Sequence, residues 1–182
     1  MAEITIYWYG PQRPESRQCL ARCAALYAGQ SPDGAQERWP VQCEERGKPF
    51  FPTARQVYCS VSHSGDYWIG AFSRQALGVD LQEHRPIRAQ ALSRRFFHPA
   101  EDQYLACNGY RDFYRVWTAK ESFVKYSGEG ISGNFSRFSV AGPQGMLPCV
   151  TGLQLRQVPF RWGYSLSLCA EEISAVTILP GR

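Results

Sequence analysis

Apolar and aromatic residues run almost unbroken through Ile4-Thr5-Ile6-Tyr7-Trp8-Tyr9, a β-branched and aromatic stretch that predicts an opening strand stopped by Gly10-Pro11. The spacing then changes. Over 15–27, Cys19, Leu20, Cys23, Ala24 and Tyr27 recur at helical intervals, with Gly29 placed to end the helix. From 31 to 52 the chain is polar and punctuated by Pro and Gly, which predicts a long loop with room for a short helix. Residues 56–61, 67–73 and 77–81 predict three strands, the first two joined by a tight Ser62-His63-Ser64-Gly65-Asp66 connection. A helical tract over 89–105 is interrupted at His98-Pro99, and Pro99 opens a new helix whose first turn holds Glu101 and Asp102.

The most ordered pattern follows. Trp117-Thr118-Ala119-Lys120-Glu121-Ser122-Phe123-Val124-Lys125 reads as a helix that Gly128 terminates. On it Phe113, Trp117, Lys120 and Val124 share one stripe, whose apolar members are expected to face the core. Beyond it, 138–141, 150–158, 164–170 and 175–179 predict strands joined by Gly/Pro turns. Strands run with strands and do not alternate strictly with helices, so the class is α+β. The 73–78 region is the expected seam between an N-terminal lobe, 1–75, and a C-terminal lobe, 76–182.

Composition narrows the function classes. At 182 residues, 44% hydrophobic and 14% aromatic, the chain can bury a substantial core. The net charge of +4 is spread out, Arg94-Arg95 being the longest basic run, whereas nucleic-acid binders cluster their charge. A mild basic excess suits anionic small ligands or an acidic protein partner, and no nucleic acid is expected. Seven cysteines form no CxxC pair and no Cys/His rhythm suited to zinc; Cys19 and Cys23 read as two small buried thiols. With no leader-like opening and no apolar run long enough for a bilayer, a reduced, cytoplasmic, membrane-free protein is expected.

Four stretches carry residues capable of chemistry. Glu121 and Lys125 stand four apart on the flank of the helical stripe, as an ordinary surface ion pair or as a carboxylate and an ammonium at the rim of a buried face. Gly78-Val79-Asp80-Leu81 puts a carboxylate among apolar strand residues. It is either a turn Asp or a buried group that needs a cation, and two carboxylates with phosphate oxygens suit Mg²⁺. Ser62-His63-Ser64-Gly65 could cradle a phosphate, present a nucleophilic serine, or be a plain turn. Gly47-Lys48-Pro49 fixes a lysine in a stiff turn, as a point-charge contact to phosphate or as a solvated loop residue.

Taken in order, Gly47-Lys48-Pro49, Val61-Ser62-His63-Ser64-Gly65, Gly78-Val79-Asp80 and the 117–125 helix, followed by Gly128 and Gly130, resemble the 4′-phosphopantetheinyl transferase superfamily, in its surfactin-type monomeric branch. Arg95-Phe96-Phe97 with Glu101 also looks like that family's linking segment. The resemblance implies two similar α+β lobes in a pseudo-twofold arrangement, coenzyme A between them, and Mg²⁺ on its diphosphate. The implied reaction moves the 4′-phosphopantetheine arm to a serine of an apo acyl or peptidyl carrier protein, an acidic helical domain, and releases 3′,5′-ADP. By similarity Asp80 and Glu121 are metal ligands, Lys48, Pro49, Ser62 and His63 hold the nucleotide and its phosphates, and Lys125 sits by the diphosphate. Gln82 stands where many members carry a second acid, as a metal ligand or with water in its place. That departure leaves open a catalytically impaired relative that binds coenzyme A or a carrier. Arg13, Arg17 and Arg22 are candidates for contacts near the adenosine. Two lobes in one chain make a monomer sufficient.

Overall fold

The computed structural model describes residues 3–128 and 135–181; Gly130 lies outside the described residues. The chain opens with β1 (Glu3–Tyr9), α1 (Ser16–Tyr27) and a short α2 (Ala35–Arg38), then a small hairpin of β2 (Gln42–Cys43) and β3 (Pro49–Phe50). Three strands follow, β4 (Tyr58–Ser64), β5 (Tyr67–Ser73) and β6 (Leu77–Glu83), and then three helices, α3 (Ala89–Phe96), α4 (Pro99–Cys107) and α5 (Phe113–Ser127). A 3-10 turn (Phe135–Arg137) precedes β7 (Ala141–Gly142), β8 (Gly145–Met146), β9 (Cys149–Val150), β10 (Leu153–Gln157), β11 (Tyr164–Ala170) and β12 (Ala175–Pro180).

Two four-stranded sheets result, ordered β12-β1-β5-β4 and β6-β11-β10-β9. Strand alternation explains how they stack. Ile4 and Ile6 of β1 and Ile69 and Ala71 of β5 point one way, into a core shared with Leu77, Val79 and Leu81 of β6 and Leu166, Leu168 and Ala170 of β11. Tyr7, Trp68 and Phe72 point the other way, against Leu20, Cys23 and Ala24 of α1. The layers therefore run α1, first sheet, second sheet, α5. Outside α5, α3 and α4 close a third core on Phe97, Leu105, Phe113 and Val116. Cys19 and Cys23 are free thiols buried under α1, and burial pushes the Cys23 thiol up to about 12. Among the described residues no helix is long and apolar enough to cross a membrane.

Three expected elements differ. Ser62, His63 and Ser64 lie inside β4, paired with Ile69, Trp68 and Tyr67 of β5, rather than in a turn. The reversal needs only Gly65, at φ 54°, and Asp66, because the serine hydroxyls find partners on a neighbouring strand. Residues 138–141 do not form one strand: a 3-10 turn comes first and β7 begins only at Ala141. There Phe135 and Phe138 turn their rings toward the Lys120 ammonium, at 5.6 Å and 4.1 Å. The run over 150–158 is folded back into the β9–β10 hairpin by Thr151 and Gly152, both at positive φ.

Candidate active site

The helix α5 buries two faces, and only one is apolar. Phe113, Val116, Ala119 and Val124 join the outer core. Lys120 enters that same core with no solvent exposure, its Nζ 2.8 Å from Glu101 Oε2 and 2.7 Å from the Phe138 carbonyl. Burial lowers the Lys120 ammonium to about 8, against the opposing pull of Glu101. Glu101 also accepts from the His98 and Val140 backbone N–H groups, at 2.9 Å and 2.7 Å, so the carboxylate ties α4, α5 and the approach to β7 together.

The other face of α5 carries Thr118, Glu121, Ser122 and Lys125 and lies on the second sheet. It is polar because the sheet face beneath it is polar. Register places Gly78, Asp80 and Gln82 of β6 opposite Cys169, Ser167 and Ser165 of β11, on one face. Thr118 Oγ1 lies 2.6 Å from Ser167 Oγ. Gly78 lets the helix touch the strand: a Cβ there would fall 1.9 Å from the Ser122 carbonyl oxygen. That close approach sets Asp80, one pleat along, beneath Lys125.

Asp80 is buried at 6% exposure, and two side chains act on it. Lys125 Nζ lies 2.7 Å from Oδ1, and the Ser62 hydroxyl donates to the same oxygen at 2.8 Å. Oδ2 is buried without a hydrogen-bond partner. Burial raises the Asp80 carboxyl above its ordinary range, while Lys125 and Ser62 pull it down. Glu121, on the adjoining turn of α5, is pushed up to about 7, first by burial and then by the negative charge of Asp80, with Lys125 opposing. The pairing expected between Glu121 and Lys125 is thus redirected, the ammonium bonding Asp80 and, at 3.3 Å, the Val61 carbonyl.

A carboxylate whose charge raises the proton affinity of its neighbour, and which itself has an unused buried oxygen, suits a hard divalent cation with oxygen ligands. Gln82 stands on the same face of β6, half-buried, two residues beyond Asp80. No cluster of three His, Cys, Asp or Glu side chains is disposed to hold a metal among the described residues. A cation at the Asp80–Glu121 pair would complete its shell from the Gln82 amide, water or substrate oxygens.

Beside the carboxylates opens a cleft of about 210 Å³, lined by Arg46, Lys48, Pro49, Val61, Glu121 and Lys125 among others. The β2–β3 hairpin delivers Lys48 there, its turn made at Gly47 with φ 85°. Lys48 Nζ donates to the Tyr126 carbonyl at 2.7 Å, in the last turn of α5, where a cation complements the helix dipole. Desolvation lowers its pKa. His63 is exposed on β4, on the face it shares with Val61. Arg22 lines a separate cleft with Gln18, Pro32 and Glu37.

Sequence reasoning assigned no role to Arg46, which lies in the long 31–52 loop, nor to the Glu101–Lys120 pair. For the pair a signal existed: Glu101 is the third residue after His98 in a capping box around Pro99.

The model of the 4′-phosphopantetheinyl transferase superfamily matches residues 76–177, more than half of the chain. The chain is 34% identical over 143 residues to 4′-phosphopantetheinyl transferase ffp of Bacillus subtilis, an alignment covering 70% of the chain and 61% of that relative. It is 36% identical over 101 residues to 4′-phosphopantetheinyl transferase Sfp of Bacillus subtilis (strain 168), covering 53% and 45%. With 4′-phosphopantetheinyl transferase psf-1 of Bacillus pumilus the identity is 34% over 102 residues, covering 54% and 43%. The chain spans roughly half the length of these curated relatives.

Proposed function

The chain belongs to the 4′-phosphopantetheinyl transferase superfamily and is of the Sfp type, and from that premise we propose that it transfers the 4′-phosphopantetheine arm of coenzyme A to a serine of an apo acyl or peptidyl carrier protein, releasing 3′,5′-ADP. The observation that carries the reading is the meeting of Asp80, Lys125 and Glu121 at a cleft lined by two further cations, Lys48 and Arg46.

Lys48 and Arg46 meet the phosphates of coenzyme A as point charge and fork, with Pro49 fixing the lysine's turn. Ser62 and His63 lie on the adjoining β4 edge, His63 on the solvent side where a nucleotide phosphate can approach. Asp80 and Glu121, with Gln82 on the same face, would hold Mg²⁺, which supplies charge neutralisation for the diphosphate when bound. The carrier serine oxygen bonds to the β-phosphorus, and the bond from that phosphorus to the bridging oxygen breaks. Glu121 accepts the hydroxyl proton directly or through a water. Lys125, at the mouth of the cleft, offsets charge on the departing phosphate. Such a reaction depends on alignment and charge rather than on a covalent enzyme intermediate. Residues 1–75 and 76–182 act as two lobes flanking the donor, the last strand of the second, β12, completing the first sheet, and a monomer in the cytoplasm suffices for the chemistry.

The test incubates a panel of apo carrier proteins with coenzyme A, Mg²⁺ and the purified protein, and weighs the carriers intact. One or more carriers should gain the mass of the phosphopantetheine arm, and Asp80→Ala should abolish the gain. If no carrier gains mass while coenzyme A binds, the second reading stands, a donor- or carrier-binding relative without transfer. Its motivation is the amide of Gln82 at a position where the family resemblance implies a second acid.

A further inference from the structure

Among the described residues the most exposed large apolar side chain is Trp162, 100% exposed at the tip of the connection between β10 and β11. Its neighbours are held fast. Phe160 packs edge-on against Tyr67 at 5.3 Å, and the Arg161 guanidinium stacks over Trp8 at 4.8 Å. Gly163 turns the chain at φ 79°, and its carbonyl accepts from the His84 N–H at 2.7 Å, which ties the turn to the end of β6. An indole held out in water on an anchored turn has its apolar face free for a partner.

Next to this turn a cleft of about 400 Å³ opens toward the start of α5, lined by His84, Arg111, Arg115, Phe160, Arg161 and Tyr164 among others, with no acidic residue. Asp112 is held by Arg115 at 3.0 Å and Glu83 by Arg85 at 2.6 Å, while Arg111 has no ion-pair or hydrogen-bond partner among the described residues. The cleft is therefore cationic with an aromatic wall. It sits at the opposite end of α5 from the donor cleft, which Val124, Lys125 and Gly128 line. Arg115 lies six residues before Glu121, about 9 Å along the helix, and His84 four residues past Asp80, about 13 Å along β6. A partner seated here reaches the reacting groups without covering the donor.

We propose that Trp162, with Arg111, Arg115 and Arg161, forms the surface on which the acceptor protein docks, and that it selects carriers whose face presents carboxylates around an apolar socket. This rests on the transferase reading above and adds which face of the chain receives the carrier. Charge complementarity and shape decide the occupant. A small anion would leave the indole in water, and a flat lipid surface fits a protruding ring but not the concave cleft beside it. Tryptophan and arginine supply most of the energy of such contacts, and the guanidiniums steer the approach.

The test uses a carrier that the protein modifies and a form of that carrier lacking its acceptor serine. Trp162→Ala and Arg111→Glu should each raise KM for the carrier about 10-fold, with kcat at saturating carrier and KM for coenzyme A within about 2-fold of wild type. Added salt should raise the carrier KM of the wild-type protein more than that of Arg111→Glu. A carrier with one carboxylate of its docking face changed to lysine should recover part of the loss in Arg111→Glu, which a folding defect would not allow. Arg74→Glu, on a separate cleft with Tyr27 and Trp39, should keep the wild-type KM. Calorimetry with the serine-less carrier, without coenzyme A, should rank the variants in the same order.

An unchanged carrier KM in both Trp162→Ala and Arg111→Glu overturns the proposal and leaves the transferase reading intact. An equal loss in Arg74→Glu overturns it as well, since net charge would then be responsible. Binding to phosphatidylglycerol vesicles that Trp162→Ala abolishes, with the carrier KM unmoved, would assign the surface to lipid and sink the idea. If no carrier gains mass yet the serine-less carrier binds with the expected ranking, transfer is refuted and the docking surface stands.

Discussion

Replacing Gly78 with alanine tests whether the contact between α5 and β6 sets the site. The new Cβ would meet the Ser122 carbonyl oxygen at 1.9 Å and the Tyr126 nitrogen at 2.5 Å, where ordinary contact begins at 3.4 Å. Both atoms are backbone, so no rotamer change relieves the clash and the helix must lift from the strand by about 1.5 Å. Overpacking of this kind costs about 1–3 kcal/mol, which in a chain of this size lowers Tm by about 2–12 °C. The larger consequence is local. Asp80 is two residues from Gly78 on β6, and Glu121 and Lys125 flank Ser122 on α5, so the displacement opens the Asp80–Lys125 ion pair directly. A misplacement near 1 Å at reacting groups costs about 100-fold in rate. Gly78→Ala should therefore stay folded by circular dichroism, melt earlier, and transfer the arm to carrier at about 1% of the wild-type rate in an intact-mass time course. Val57→Ala, in the core beneath α1, gives a comparable loss of Tm away from α5 and should retain transfer near the wild-type rate. A Gly78→Ala protein with wild-type Tm and wild-type rate would show that the close approach of strand and helix does not control the site.

Three other perturbations probe the buried charges. Glu121 holds its proton up to about pH 7 in the folded chain against 4.5 for the ordinary group, so between those values the folded state keeps a proton that the unfolded chain has released, and stability falls as pH rises. In EDTA, Glu121→Gln should melt like wild type near pH 4.5 and exceed it by about 1–2 kcal/mol at pH 8, a figure reduced for partial solvent screening; equal melts at both pH values would contradict this. Lys120→Met leaves the Glu101 charge buried without its ammonium and should cost about 3–5 kcal/mol in urea denaturation, while Lys120→Met combined with Glu101→Gln should recover part of the loss; additive losses would argue that the pair is not the unit. Lys48→Ala removes a cleft cation and should raise KM for coenzyme A more than it lowers kcat, and a change confined to kcat would move Lys48 from binding to chemistry.

The strands with clear apolar alternation were legible from composition and period alone, and residues 67–73 and 164–170 coincide with β5 and β11. So was the break between α3 and α4, because His98-Pro99 carries its own capping geometry. The turn over 62–66 was misread because serine and histidine favour turns when their hydroxyls and imidazole lack partners. What reverses the preference is a row of N–H donors on β6, which are 19 residues away in sequence. Local propensity cannot register a partner at that distance.

The same limit governs α5, where periodicity identified the apolar stripe and left Glu121 and Lys125 on its flank, as an ordinary surface pair or as the rim of a buried face. A hydrophobic pattern reports burial against hydrophobic surroundings only. The face of α5 with Thr118, Glu121, Ser122 and Lys125 is as buried as the stripe in all but Lys125, yet it reads as solvent-facing because its partners, Gly78, Asp80 and Ser167, are themselves small or polar. Burying that much polarity is tolerable only where nearly every group is matched. Here the matching is close to complete: Thr118 takes Ser167, Ser122 takes the Ala119 carbonyl, and Lys125 and Ser62 take Asp80 Oδ1. One carboxylate oxygen of Asp80 is left without a partner, near a second carboxylate, Glu121, driven toward neutrality. An interface that satisfies its other hydroxyls and ammonium while leaving that single acceptor open has its remaining valence directed at something the chain does not itself supply, and a cation is the species whose charge would relieve both acids at once.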